Sequence, residues 1–522
     1  MKKISILLTI IMLFTPVVTI AFSTDTMMRN MMINQNNGND NDPLVDLSVT
    51  FEIKQICTLE KTDLGLRPID KIDYLSNPDF YVKVFINNEE FTSPIWSDTK
   101  YVYNPNWSAT VDVPDEVEWV NITIQLWDDE PTGDRLCDIS DNYGNFEDPY
   151  DIDLQYNLKT GHWEGDDWLP GFWGGFDPSG YGRLNGYDDN SQYQNDRDCE
   201  MIFDIYQNDF DHDNIPYWTE VNIFKTDPTV DNTGEDFDND GVPIEWEWKW
   251  GYSQSYDRRN HSMMHDWKYN PFIWEDHQTL DDDEDGIQNV EESRMADWGS
   301  DPFRKDLFVE LDQMEAGPNG EPASLFPEGA KELLRTAYNK HNVVYHLDDG
   351  SHTNSGSDMI PFDNLTTMDW FSENNELAKI YNDYFLHGNP NNWRRGVFHY
   401  GVDIYQCSMA DGNMFGMDSY QISSNGLSER AASLPYLDKD IVFASAYMHE
   451  CGHTLNIQNA AVDDQMSKYI WQLNWWKWRP YKSVMNYGYM YVMVDYSDGS
   501  RGKNDFNDWN SMDLTAFETS FP

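Results

Sequence analysis

Basic residues are scarce in this chain. Its 522 residues carry 35 Lys and Arg against 92 Asp and Glu, a formal net charge of −57. Nucleic acid is held by a basic surface that neutralises phosphates, so this balance excludes that class of partner. Cysteine is also scarce: Cys57, Cys137, Cys199, Cys407 and Cys451 are the five. The odd number leaves at least one thiol unpaired within a monomer; Cys57 and Cys137 could form a disulfide, and spacing does not decide it. Long apolar runs are limited to one, Ile4–Phe22, which follows Lys2 and Lys3 and is broken by Pro16. It has the pattern of a secretory signal peptide over 1–23, with an uncleaved anchor as the alternative, so the expected location is extracellular or cell-surface. Histidines number 12 and none follows His453, while the single glutamate after Glu450 is Glu518. Aromatics, by contrast, are plentiful at 15% with 21 Trp and 30 Tyr. A disordered acidic tail lacks large hydrophobes, so the acid is carried by folded protein.

The length is too great for one ordinary core, and the texture changes along the chain. Residues 24–42 form a polar linker. Over 43–206, "DLSVTFEI", "FYVKVFI" and "NITIQLW" alternate apolar and polar positions between Pro, Asn, Asp and Gly turns, which predicts an antiparallel β-sandwich; 169–192 reads as a long surface loop. An acidic repeat fills 207–304. From 305 to 522 the pattern is mixed α and β: strands at "DLFVELDQ", "VVYHL" and "GVFHYGVDIY", and helices at "EGAKELLRTAYNKHN", "NELAKIYNDYFL" and "KDIVFASAYMHECGHTL". The expected fold is therefore multidomain: sandwich, calcium-bound loop repeat, and C-terminal α+β unit.

Three windows of the repeat share one register. Asp209, Asp211 and Asp213 are followed by Glu220; Asp236, Asp238 and Asp240 by Glu247; Asp281, Asp283 and Asp285 by Glu292. Alternate aspartates in a tight loop aim carboxylates at one centre, Asn or Gly at the sixth position permits the turn, and a glutamate at the twelfth can close the shell bidentately, which is the donor set of calcium. With Pro216, Pro243, "TDP" at 226–228 and "SDP" at 300–302, the segment resembles thrombospondin type 3 and related bacterial EF-hand-like repeats. That resemblance implies calcium-rigidified spacers rather than sensors.

The sandwich carries a second set of carboxylates. "DYLSNPDFYVKV" places Asp73 six residues before Asp79, and "LWDDEPTGD" supplies Asp128, Glu130 and Asp134. Carboxylates on loops at one end of a sandwich can make an oxygen cage for calcium. The region resembles the C-two (C2) family of calcium- and lipid-binding domains, whose first loop ends in Asp-Pro-Tyr-Val-Lys-Val; here Pro78 and Asp79 are reversed and Phe80 intervenes. An acidic domain approaches an anionic membrane only through bridging calcium.

The helix "KDIVFASAYMHECGHTL" holds His449-Glu450-x-x-His453. Histidines one turn apart share a helix face and can reach one zinc ion, with Glu450 placed to take the proton of an attacking water. Further on stands Ser483-Val484-Met485-Asn486-Tyr487. Together the two motifs resemble the metzincin clan of metalloproteases. The resemblance covers 305–522 and implies Met485 in the turn beneath the zinc and Tyr487 near the metal or the oxyanion. It also implies a glycine at 456 and a third histidine at 459, and both positions are asparagine. Asn456 is well suited to the left-handed turn that glycine would make. The third zinc ligand is expected from Asp464 or Asp463, with Asn459 and a degraded site as the alternatives. These features predict an exported, zinc- and calcium-dependent endopeptidase acting on protein or peptide. The competing expectation is a non-enzymatic, calcium-dependent surface or adhesion protein on an inactive protease scaffold.

Overall fold

The structure is a computed structural model. It describes residues 40–58, 77–131, 133–140, 150–166, 177–178, 181–186, 197–257, 262–352, 354–368, 375–433, 437–457 and 467–516. The signal-peptide expectation and most of the linker lie outside them. Among the described residues, no helix is long and apolar enough to cross a membrane.

The N-terminal part contains two antiparallel sheets. Its strands are β1 (Ser48–Thr58), β2 (Phe80–Ile86), β3 (Glu89–Thr92), β4 (Tyr101–Asp112), β5 (Trp119–Asp128), β6 (Arg135–Cys137), β7 (Ile152–Asn157), β8 (His162–Gly165), β9 (Asp177–Pro178), β10 (Gly182–Asn185) and β11 (Cys199–Gln207). One sheet has the order β10-β11-β1-β4; the other runs β3-β2-β5-β7-β8, with β6 also paired to β5. Val82 and Val84 of β2, Ile122 and Ile124 of β5, and Phe51 and Phe203 of the facing sheet fill a shared core. Period-two alternation puts these residues on inner faces, as the sequence pattern requires. Two expectations need correction. The segment 169–192 is not a single surface loop, because Gly182–Asn185 is a strand paired with β11. Cys57 and Cys137 are not bridged: all five cysteines are buried and none is in a disulfide.

The acidic segment is more than loops. Each loop leads into a short helical turn, including Ile244–Gly251 and Asn289–Arg294. A hairpin of β12 (Tyr252–Asp257) and β13 (Ser262–Trp267) pairs with β9. Two small cores support the segment, one of Ile215, Phe224, Ile244 and Trp248, the other of Val242, Trp246, Trp250 and Tyr269.

The C-terminal sheet contains β14 (Asp306–Met314), β15 (Val344–Asp348), β16 (Met359–Ile360), β17 (Phe398–Ile404), β18 (Gly412–Met414) and β19 (Ser419–Ser423). Its order is β15-β14-β17-β19-β18, with β16 continuing beside β14. All pairs are parallel except β18, an antiparallel edge strand. The helix Glu328–Asn339 connects parallel β14 and β15 and packs against the helix Lys439–Thr454, which lies on β19. Both helices contribute to one core: Leu334 and Tyr338 from the first, Phe443, Tyr447 and Cys451 from the second.

Sandwich and C-terminal sheet meet at a buried polar network. Glu200 of β11 accepts from Arg183 Nε at 2.7 Å and Asn185 Nδ2 at 2.7 Å, and is also bonded by Asn339. Burial opposes its charge, but Arg183 and Arg304 more than offset this and hold its pKa below the usual range. Asn339 ends the helix Glu328–Asn339, so the network ties the sandwich to an element beside the motif helix.

Candidate metal centres

His449 and His453 lie one turn apart on the helix Lys439–Thr454, and their Nε2 atoms are 3.3 Å apart. His449 Nδ1 is 2.8 Å from the carbonyl oxygen of Val484. A carbonyl only accepts, so Nδ1 carries the proton and the lone pair of neutral His449 sits on Nε2, towards His453. Two nitrogens bound to one zinc at about 2.0–2.1 Å in tetrahedral geometry stand roughly 3.4 Å apart. The spacing of the pair therefore suits one zinc ion, and the carbonyl is an outer contact of the kind that orients ligating histidines.

The turn 483–487 runs beneath the helix. Ser483 Oγ accepts from Met485 N at 3.1 Å, and Met485 is buried. A Cβ at Gly452 would stand 2.7 Å from Met485 Sδ, so glycine there lets the turn close on the helix. The Tyr487 ring centroid is 5.5 Å from that of His449. Glu450 and Tyr487 both line a cavity of about 330 Å³ with Asp411, Gly412, Arg430, Lys468 and Tyr491 among its other walls. Gly412 is the first residue of β18, and a Cβ there would stand 2.5 Å from Glu450 Oε1. The carboxylate thus sits directly against an edge strand.

The helix ends as the sequence suggests. Asn456 has φ 58°, Asn456 N donates to His453 O at 3.2 Å, and Ile457 N donates to Gly452 O at 2.9 Å. These are the two bonds of a Schellman cap, completed by buried Ile457. Asn459, Asp463 and Asp464, the three candidates for the remaining zinc ligand, lie outside the described residues.

The acidic loops repeat down to individual hydrogen bonds. Asp209, Asp236 and Asp281 each accept, through Oδ2, the backbone N–H five residues on: Asn214 at 2.9 Å, Gly241 at 3.0 Å and Gly286 at 3.0 Å. Asp213, Asp240 and Asp285 each accept, through Oδ1, the N–H two residues on: Ile215, Val242 and Ile287. The sixth loop positions, Asn214, Gly241 and Gly286, all have positive φ, and so do the fourth, His212, Asn239 and Glu284. The remaining carboxylate oxygens converge. Asp211, Asp213 and Glu220 form one group with ligand atoms within 4.8 Å; Asp236, Asp238 and Asp240 form another; Asp281, Asp283 and Asp285 a third. Both oxygens of Asp211, Asp238, Glu247 and Glu292 are buried without a hydrogen-bond partner.

Burial and neighbouring carboxylates push these groups towards the protonated form. Glu220 and Glu247 are each raised to about 9, first by burial and then by Asp213 and Asp240 respectively. Asp213 rises to about 7, and burial with Asp283 raises Glu292 well above its ordinary value. Buried carboxylates held together without donors have the chemistry of a divalent-cation cage.

The sandwich end differs. Asp79 and Asp128 are brought together: Asp79 N donates to Asp128 Oδ1 at 3.0 Å, while Asp79 Oδ1 accepts from Asp98 N at 2.7 Å. Asp134 Oδ2 accepts from Tyr81 Oη at 2.9 Å, and Glu130 pairs with Arg135 at 3.5 Å. Asp73 lies outside the described residues.

No family model matches the chain, and no curated protein matches it in sequence. Several solved structures give partial matches to about a third of it. Human GIVD cytosolic phospholipase A2 is matched at 13% identity over 31% of this chain and 16% of that one, with a TM-score of 0.17. A C2 domain protein from Ramazzottius varieornatus is matched at 13% identity over 31% of this chain and 87% of that one, with a TM-score of 0.19. The paired C2 domains of extended-synaptotagmin 2 give 11% identity over 31% of this chain and 40% of that one, with a TM-score of 0.17.

Several site residues escaped the sequence reading. Asn232, Glu275 and Asp306 donate their backbone N–H to Asp213, Asp240 and Asp285, closing each loop from 19 to 35 residues away. Asn232 and Asp306 follow "TDP" and "SDP" by a few residues, which is the one signal that could have pointed to them. Asp306 also opens β14 and bonds His346 Nε2 of β15 at 2.6 Å, so the third loop is built into the C-terminal sheet. Val484, the partner of His449, falls within a recognised motif, but nothing in its side chain marks the role of its carbonyl.

Proposed function

We propose that this chain is an exported zinc endopeptidase of metzincin type, stiffened by calcium in its acidic loops. The observation that carries the reading is the His449 tautomer: Nδ1–H held by Val484 O, with both Nε2 atoms facing each other beside Glu450. The parallel sheet with one antiparallel edge strand next to Glu450 supports it further. Zinc, when bound, supplies a Lewis acid that activates water and polarises the scissile carbonyl. Glu450 takes the proton of the attacking water and delivers it to the leaving amine. Tyr487, on the wall of the same cavity as Glu450, donates a hydrogen bond to the oxyanion in this reading. The β18 edge offers backbone donors and acceptors to an extended peptide. His449 and His453 are ligands in this reading, and the third comes from Asp464, Asp463 or Asn459. The substrate is protein or peptide, and any membrane contact of the C2-like sandwich runs through calcium.

Glu450→Gln tests the enzyme. Casein hydrolysis should fall by about 10²–10⁴-fold while zinc content is kept, because the base alone is lost. Unchanged turnover would overturn Glu450 as the base of a zinc peptidase, and a wild-type chain that binds no zinc and cleaves nothing would leave the calcium-dependent surface protein as the better reading.

A further inference from the structure

The second acidic loop differs from the other two in the residue that stands just beyond its closing N–H. The N–H groups that close the loops belong to Asn232, Glu275 and Asp306. Two residues beyond each stand Gly234, His277 and Phe308. Only the second loop thereby receives a nitrogen donor. His277 is fully buried. Its Nε2 is 3.3 Å from Asp240 Oδ2, 3.7 Å from Glu275 Oε2 and 3.9 Å from Glu247 Oε1. No hydrogen bond is formed by that nitrogen, nor by either oxygen of Glu247, which is 1% exposed.

We propose that Asp240, Glu247, Glu275 and His277 form a site, separate from the His449–His453 pair, in which one borderline divalent cation of the zinc, manganese or cobalt class takes the place of calcium in the second loop. The four ligand atoms lie within 4.8 Å of one another. Donors bound tetrahedrally at about 2.1 Å stand roughly 3.4 Å apart, close to the spacings His277 makes. Calcium prefers an all-oxygen shell, whereas imidazole with carboxylates suits the borderline ions. A bare Nε2 requires the proton on Nδ1, and Nδ1 is 2.9 Å from the Asn289 amide. A half-turn of that amide places its oxygen on Nδ1–H, and Asn289 Oδ1 has no partner in the other orientation. Asn289 then orients the ligand as an outer contact does at established metal sites. The site clamps Glu275 and His277, which follow the hairpin β12–β13, to the loop that precedes it.

The test counts metal in the full chain. The protein is stripped with chelator, equilibrated in millimolar calcium, and titrated with zinc. His277→Ala and the more conservative His277→Gln should each bind one equivalent of zinc fewer than the wild type. A second measurement keeps His277 and removes the imidazole pair of the peptidase reading: the His449→Ala/His453→Ala chain in excess calcium should still take up one cobalt(II) and develop its visible absorption. Equal zinc stoichiometry in wild type and a folded His277 variant, or no cobalt uptake by the double variant, overturns the proposal. Because the cobalt readout does not involve His449, it stands or falls apart from the peptidase reading.

Discussion

The acid at the end of the sandwich and the acid in the repeat are alike in composition and opposite in circumstance. Asp79, Asp128, Glu130 and Asp134 meet protein donors: backbone N–H groups, a tyrosine hydroxyl and an arginine. Asp211, Asp238, Glu247 and Glu292 have both carboxylate oxygens buried and unanswered. A carboxylate that already accepts hydrogen bonds keeps its charge at modest cost, whereas an unanswered one must find a cation or a proton. The lesson is that counting aspartates does not locate a cation site; the buried carboxylate oxygens left without a donor do.

Removing calcium should break the comparison most visibly. If each loop holds its ion at about 100-fold above Kd, each contributes about 2.7 kcal/mol, so chelation should lower the melting temperature on the order of 10 °C. Limited proteolysis in chelator should cut first within 207–304. An unchanged melting curve and cleavage pattern would place the repeat with the sandwich.

The pH dependence of the same transition should change sign with calcium. In chelator, Glu220 and Glu247 have folded pKa values near 9 against an ordinary 4.5. A raised carboxyl contributes stability that is complete below its unfolded pKa and is lost as pH rises through the folded one. The cation-free protein should therefore melt at progressively lower temperature from about pH 5 to about pH 9. With calcium saturating, the ionised carboxylates are the bound form, and stability should instead fall as the pH drops below about 5. Parallel melting series with and without chelator read this directly.

Single substitutions sharpen the contrast. Glu292→Gln removes one charge from the third cage and should weaken calcium there by at least about tenfold in titration calorimetry. Asp134→Asn keeps an acceptor for Tyr81 and should cost about 1 kcal/mol or less of stability with no change in calcium stoichiometry. A loss of one calcium in Asp134→Asn would show that the sandwich end also binds the ion.

The smallest effect concerns backbone rather than charge. Asn456 is left-handed at φ 58°. Asn456→Gly should change stability by less than about 1 kcal/mol, and Asn456→Val should lower it by about 1–2 kcal/mol. Denaturant unfolding of the two variants distinguishes a cap that matters from one that does not.

Much of the fold was legible wherever one face of an element is buried and the other is not. "FYVKVFI" is β2 to the residue, and Pro327 stands immediately before the helix Glu328–Asn339. The strands β18 and β19 were not legible. β19 is buried at every position, so it shows no alternation, and β18 has three residues. β10, at the edge of its sheet, hid within a run rich in Gly and Asp. His277 gave no signal because it stands 37 residues after Asp240 in sequence and reaches it only through the intervening hairpin.

The sequence by itself determined the turn of each loop, because the bonds that shape that turn close within six residues: a carboxylate at the first position, a left-handed residue at the sixth, an N–H at the seventh. It determined the pairing of His449 with His453 for the same reason, since one helical turn sets their separation. Only the tertiary structure decided which lone pair His449 presents, through the carbonyl of Val484 35 residues away. It alone decided which later residues seal each acidic loop and which carboxylates remain without donors. Those outcomes depend on how sheets, hairpin and helices pack, and a side chain's partner across such distances is set by packing rather than by its neighbours in the chain.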